Sequence, residues 1–411
     1  MKKPFLGTVL IAAGVLAACT VAKTPPTVEQ KARDLHRRIL TVDTHCDTAM
    51  RLAAPDWKIG ERHDPSLRAS GKIDLPRMRE GGLDAEFFAA FVGQGPLTPE
   101  AYEKAKASAL RAVEAVRKMT EEYAATIGLA VDPEGARRLK REGRLIAFIG
   151  MENGYPIGRD LALIKHFYDR GVRYITLCHS SDNDICDSST DRRAPEDRGL
   201  SPFGRDVVAE CNRLGMIIDI SHASERSFSD VVAASRAPII ASHSSARAVC
   251  DNPRNLTDDQ LRALAKNGGV IQICFLGAYV KAMPVAPERE KALKELEAKY
   301  GNIREIRDEA LRKEAMAARD AVNQKYPQAR PNVQDLVDHI DHVRKVVGID
   351  TVGIGTDFDG GGGVVGCDDV SGMIHVTEEL IRRGYSDGEI GKIWGGNFFR
   401  VFEKVIALAG R

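Results

Sequence analysis

Beyond residue 30 the chain alternates short, continuous apolar runs with longer stretches in which apolar residues recur at helical spacing. Eight runs have the length of strands: Ile39 to Asp47, Leu83 to Val92, Arg144 to Glu152, Val172 to His179, Met216 to His222, Pro238 to Ser245, Gly268 to Phe275 and Thr351 to Asp359. Their interiors are rich in Ile, Val, Phe and Leu with little strict alternation, the pattern of strands covered on both faces. Between them lie helix signatures such as Thr98-Pro99-Glu100, an N-cap followed by proline in the first turn, leading into Tyr102 to Ala125. Strand–helix alternation predicts a parallel sheet, and eight repeats predict an α/β fold of the closed (β/α)8 type, a TIM barrel. An open doubly wound sheet would need a Gly-rich phosphate loop after the first strand, and His45-Cys46-Asp47 stands in that place.

Two stretches exceed ordinary barrel connections. Ser180 to Ser201 is polar and turn-rich, which predicts a long loop where a barrel carries a substrate lid. Pro284 to Pro331 is dense in Lys, Glu, Arg and Ala, a helical insertion before the last strand. Its charges read as a solvated face, with a dimer surface or an active-site wall as alternatives. Towards the end, Gly395-Gly396-Asn397 reads as a turn between closing helices, with Asn397 as a cap.

The carboxyl ends of barrel strands are where chemistry collects. Here the first run ends in His45 and Asp47, the third in Glu152, the fourth in His179, the fifth in His222, the sixth holds His243 and the eighth holds Asp357. His45 and Asp47 share a face because strand side chains alternate, which points Cys46 the other way. The remaining histidines, His36, His63, His166, His339, His342 and His375, fall in helical or loop context and are expected to be solvated. A core histidine or a turn aspartate explains any one strand-end residue taken alone. Seven ionisable groups at one mouth would be costly to bury without cations, and a divalent metal offsets that cost.

With 411 residues, 43% of them apolar, and a net charge of +1, the chain can bury a large core and lacks the basic excess of a nucleic-acid binder. Lys2 and Lys3 precede an apolar run from Phe5 to Ala18, too short for a comfortable membrane span. Leu16-Ala17-Ala18-Cys19 resembles a bacterial lipoprotein signal, with a secretory signal cut near Ala18 as the alternative. The expected organisation is a signal peptide over 1–18, a lipidated tether over 19–30 and a hydrolase barrel over 31–411, with the insertion at about 284–331. Lipidation of Cys19 leaves seven of the eight cysteines, an odd number, so at least one thiol stays free.

Taken together, His45-x-Asp47, Glu152 after IGM, LCHSS around His179, DISH ending in His222, ASHSSARAVCDNPRN from Ala241 to Asn255, and GIGTDFDG around Asp357 resemble the renal-type membrane dipeptidases. These are zinc peptidases on an amidohydrolase-like barrel. The resemblance implies two zinc ions, one held by His45 and Asp47, the other by His222 and His243, with Glu152 bridging them. It implies that Asp357 moves the proton and contacts the substrate amine, that His179 stabilises the oxyanion, and that Arg254 grips the terminal carboxylate. On the residues alone Arg247 and Arg262 have equal claims to Arg254, Asp359 fits a turn role better than Asp357, and His179 could be a core histidine. Tyr279 matches the pattern only loosely.

A substrate gripped at both its amine and its carboxylate is limited in length, so the expected reaction is hydrolysis of dipeptides, extending in relatives to a D-residue at the carboxyl end. The expected setting is the bacterial cell envelope, lipid-anchored through Cys19, with a homodimer left open. The competing readings are another amide, lactone or phosphoester hydrolase on the same barrel, and a non-catalytic binding lipoprotein.

Overall fold

The computed structural model describes residue 1 and residues 25–54, 56–67, 70–193, 196–301, 303, 306 and 308–410. The signal and lipidation expectations, Cys19 included, lie outside these residues. Helix Val28–Arg38 begins inside the expected tether, because Thr27 and Gln30 form a capping box that starts a helix there.

Nine strands form one parallel sheet: β1 Val42–Cys46, β2 Ala85–Phe91, β3 Ile127–Leu129, β4 Leu145–Glu152, β5 Val172–Thr176, β6 Ile217–Asp219, β7 Ile240–Ser244, β8 Val270–Ile273 and β9 Val352–Ile354. Eight of them run round a (β/α)8 barrel in the order β1-β2-β4-β5-β6-β7-β8-β9. The ninth, β3, pairs only with β4 outside that path; it has three residues, too few to carry a pattern. The ring closes where Cys46 bridges Phe358, with Asp47 N–H donating to Phe358 O at 2.8 Å and Asp357 N–H to His45 O at 3.0 Å.

One end of the barrel is filled and the other is left for chemistry. Val42, Ile146, Ile217, Ile240 and Val270 from the early halves of the strands pack with Phe87, Phe148 and Tyr174. Helix Asn397–Leu408 drives Phe398 to 5.2 Å from the Phe87 ring and Phe402 to 5.9 Å from that of Phe148, sealing this end with aromatic edges. The other strand face packs Phe88, Ile149, Ile175, Ile218 and Ile271 against the helices, with Cys46 among them.

The insertion contains helices Pro287–Tyr300 and Glu309–Lys325, on which Ala315 is the sole buried residue. The Gly395-Gly396-Asn397 segment is not a turn. A π-helical segment Lys392–Gly396 runs directly into the last helix, and the Asn397 amide donates to Ile349 O at 2.7 Å and Val352 O at 2.8 Å, tying that helix to β9. His36 and His339 are buried rather than solvated. Each lies on the inner face of an amphipathic helix, and His339 Nε2 meets Val280 O at 2.8 Å.

Among the described residues no helix is long and apolar enough to cross a membrane.

Candidate active site

The open end of the barrel forms a cleft of about 470 Å3 lined by Asp47, Glu152, His179, His222, His243, Arg254 and Asp357, with Met50, Phe91, Leu276 and Tyr279 as its less polar walls. A register shift between Asp43 and Cys46 breaks simple alternation in β1. Thr44 and His45 then both turn inward, Thr44 Oγ1 donating to Ser242 O at 2.8 Å, while Cys46 keeps to the outer core.

Glu152, the last residue of β4, lies at the centre. Its Oε2 is 3.6 Å from His45 Nε2, and its Oε1 is 3.1 Å from His222 Nε2, 3.4 Å from His243 Nε2 and 3.7 Å from His179 Nε2. Asp47 Oδ2 is 3.9 Å from the same His45 Nε2. The carboxylate thus faces one imidazole with one oxygen and a group of imidazoles with the other.

Four residues other than glycine have positive φ among the described residues: Asn153 (74°), His222 (72°), Asp357 (60°) and Asp359 (66°). All four follow strands at this mouth. Such conformations cost of order 1–3 kcal/mol each and persist where the surroundings over-determine them.

Burial disfavours a charge on His45, yet Glu152, Asp47 and Asp357 beside it push its imidazole up to about 10. Burial holds His222 and His243 well below the ordinary range, helped by Arg254 near the first and His45 near the second. Burial also opposes ionisation of Glu152, but His45, His222 and His243 around it bring its carboxyl well below the usual carboxylate range. Asp47 is raised well above that range by burial and by Glu152. Burial, with Glu152, lifts Asp357 to about 7 against the pull of His45 and Arg254.

This donor set fits divalent cations. His45 Nε2, Asp47 Oδ1 and His222 Nδ1 are buried without a hydrogen-bond partner. Ligand atoms within 4.8 Å of one another come from three sets: His45, Glu152 and His243; Glu152, His179 and His222; His45, Asp47 and Asp357. Imidazole and carboxylate together suit zinc and similar ions.

Arg254 is buried, donates to His243 O at 3.2 Å and to Ser244 Oγ at 3.4 Å, and keeps a buried Nε without a partner. The rival arginines are engaged elsewhere: Arg247 pairs with Glu225, and Arg262 lies exposed 2.7 Å from Asp259. Asp359 accepts from Thr48 Oγ1 at 2.7 Å, Arg51 Nε at 3.0 Å and Lys72 N–H at 3.1 Å, a bracing role for the bend. His179 is packed 4.7 Å from the Phe91 ring and 4.1 Å from that of His222.

A model of the membrane dipeptidases, peptidase family M19, matches residues 29–411. The chain belongs to the membrane dipeptidase family. It is 31% identical to dipeptidase tcpJ of Claviceps purpurea over 85% of this chain and 73% of that one. It is also 31% identical to dipeptidase 3 of Rattus norvegicus, over 92% of this chain and 68% of the relative. Among solved structures it resembles the probable dipeptidase PvdM from Pseudomonas aeruginosa at 35% identity and a TM-score of 0.79, covering 93% of this chain and 99% of that one. A metallo peptidase from Rhodobacter sphaeroides, liganded with a phosphinate mimic of the dipeptide L-Ala-D-Ala, matches at 26% identity and a TM-score of 0.70, covering 89% of this chain and 99% of that one. This membrane dipeptidase is therefore a metallo-dipeptidase on a (β/α)8 barrel.

Several contributors were not visible in the sequence. Tyr174 Oη lies 2.8 Å from His45 Nδ1, behind the site, in room made by Gly150, where a Cβ would meet Tyr174 Cζ at 2.1 Å. A tyrosine inside an apolar run carries no signal of that kind. Phe91, Met50 and Leu276, the less polar walls, carry no sequence signal of a cleft either. Tyr279, which the sequence pattern matched only loosely, does line the cleft: on the short helix Gly277–Val280 its ring centre is 5.2 Å from the Arg254 guanidinium carbon.

Proposed function

We propose that the metals are two zinc ions, one held by His45 and Asp47 and the other by His222 and His243, with the Glu152 carboxylate shared between them. The observation that carries this reading is the split environment of Glu152, one oxygen 3.6 Å from His45 and the other 3.1 Å and 3.4 Å from His222 and His243. When bound, such a pair of ions shares a water, lowers its pKa and polarises the scissile carbonyl.

The chain's own groups do the rest. Asp357, lifted to about 7, accepts a proton from the attacking water and passes it to the leaving amine. His179 donates from the cleft wall to the carbonyl oxygen as charge builds there. Arg254 offers a buried guanidinium to the terminal carboxylate of the substrate. Asp357, within the same cleft, also contacts the free amine, so both ends of a dipeptide are read. The preference extends to dipeptides with a D-residue at the carboxyl end, supported by the L-Ala-D-Ala mimic held by the Rhodobacter sphaeroides relative.

The leader and Cys19 support a lipid-anchored protein of the bacterial cell envelope. The test is amino-acid release by the zinc-loaded soluble chain from L,L and L,D dipeptides, set against a tripeptide and the C-terminal amide of the same dipeptide. Hydrolysis confined to free dipeptides is expected; equal turnover of the amide would overturn the carboxylate grip.

A further inference from the structure

We infer that Asp219 fixes the tautomer of His243 through the hydroxyl of Ser242, so that the imidazole presents a bare Nε2 to the cation site before a cation arrives. This rests on the reading of His243 as a cation ligand. His243 Nδ1 lies 2.8 Å from Ser242 Oγ, and Ser242 Oγ donates to Asp219 Oδ2 at 2.6 Å. Thr176 Oγ1 donates to the same oxygen at 2.5 Å, while Asp219 Oδ1 accepts from Ser242 N–H at 2.8 Å and Ser221 N–H at 3.0 Å. Asp219, Ser242 and Thr176 are fully buried, so water cannot substitute for any of these partners.

The direction of the relay follows from counting protons. Four donors converge on the Asp219 carboxylate, which has only acceptor capacity. A serine hydroxyl carries one hydrogen, and a bond from it to a carboxylate is about twice as strong as one to a neutral acceptor. The next acceptor within reach, Ser221 Oγ, is 3.5 Å away. Ser242 therefore spends its proton on Asp219 and can only accept from His243, which must carry its proton on Nδ1. Nε2, 3.4 Å from Glu152 Oε1 and 3.0 Å from His222 Nε2, is left with its lone pair and can only accept from its neighbours until a cation takes it.

The other cleft histidines are backed differently, His179 by the hydroxyl of Ser180 at 2.9 Å from its Nδ1. His45 Nδ1 faces the hydroxyl of Tyr174, and His222 Nδ1 is buried without a partner. Thr176, Asp219 and Ser242 end β5, stand in β6 and stand in β7, so the relay ties three adjacent strands to one nitrogen. Asp219 and Ser242 are positioning residues: they act on the cation only through His243.

Three variants and two readouts test this. In Asp219→Asn the amide NH2 takes the place of one acceptor, which turns the Ser242 proton towards His243 Nδ1. Ser242→Ala removes the relay, and Thr176→Val removes one donor to Asp219 while leaving Ser242 and His243 alone. The tautomer is read in the metal-free full chain by long-range 1H–15N correlation of the imidazoles, and zinc affinity by competition with a chelator.

Native protein and Thr176→Val should show His243 protonated on Nδ1. Asp219→Asn and Ser242→Ala should lose that state and hold one of two zinc ions roughly 10- to 100-fold more weakly. A folded Ser242→Ala chain with the native tautomer and native affinity overturns the relay, and this variant decides the matter if Asp219→Asn does not fold. Should the native chain itself bind no zinc, the ligand reading fails, while the imidazole spectrum still judges the relay.

Discussion

The guanidinium carbon of Arg254 lies 5.2 Å from the centre of the Tyr279 ring, and among the described residues no carboxylate forms an ion pair with that arginine. A buried guanidinium with no paired carboxylate is costly, and on the proposed function a substrate carboxylate would offset that cost on binding. Arg254→Ala is expected to lower kcat/KM for a dipeptide by about 30- to 1000-fold, the equivalent of about 2–4 kcal/mol for a buried charged contact. The C-terminal amide of the same dipeptide should lose far less. Equal losses for the two substrates would show that no carboxylate is held there.

Asp357 is buried, stands at positive φ, and is lifted to about 7 by burial and by Glu152. Asp357→Asn keeps the shape and removes the proton acceptor, so kcat should fall by about 10²- to 10⁴-fold. Metal content should stay at the native value. A drop in bound zinc would make Asp357 a ligand, in line with its proximity to His45 and Asp47.

A methyl group on Gly360 would lie 2.1 Å from Asp357 Oδ1 and 2.1 Å from Asp47 Oδ2. Both carboxylates would have to move, because neither is the loose end of a long chain. Gly360→Ala should therefore lower activity at least about tenfold and weaken zinc binding, since displacements near 1 Å cost about 10²-fold in well-oriented sites. Gly388→Ala, where a Cβ meets nothing within 4 Å, serves as the control and should stay active. Native kinetics for Gly360→Ala would mean that the two carboxylates need not sit where the structure puts them.

His36 is pushed down from 6.5 to about 4, first by burial and then by Lys140 and Arg33, against a hydrogen bond to Gly82 O that favours the charged form. Above pH 6.5 the ring is neutral in both folded and unfolded chains and costs nothing. As pH falls from 6.5 towards 4 the unfolded chain takes up a proton that the folded chain refuses, so stability falls by an amount approaching about 3 kcal/mol. His36→Gln should flatten that part of the stability profile measured by urea unfolding between pH 7 and 4. An unchanged slope would place the acid sensitivity elsewhere.

Much of the barrel was legible because buried parallel strands read as apolar runs, and each of the eight runs contains a barrel strand. The candidate mouth was legible because His45, Glu152, His179, His222 and Asp357 stand where such runs stop, at the strand ends where a barrel gathers its polar side chains. Three-residue β3 escaped notice because nothing so short shows a period. His36 and His339 escaped because a histidine on the inner face of an amphipathic helix is spelled like one on its outer face. Apart from the family resemblance, Arg254 could not be told from Arg247 or Arg262; burial and the ion pairs of the other two separate them in the structure. Tyr174 and Gly150 act as a pair across β4 and β5, a relationship that exists only once the strands are in register.

The central claim is that Glu152 holds two cations between His45 and the pair His222 and His243. Counting zinc per chain in the purified soluble protein, native and Glu152→Gln side by side, tests it most directly. The account predicts close to two ions in the native chain and one or fewer, with hydrolysis lost, in the variant. Two firmly bound ions in Glu152→Gln, or a native chain that hydrolyses dipeptides fully with none, would contradict it.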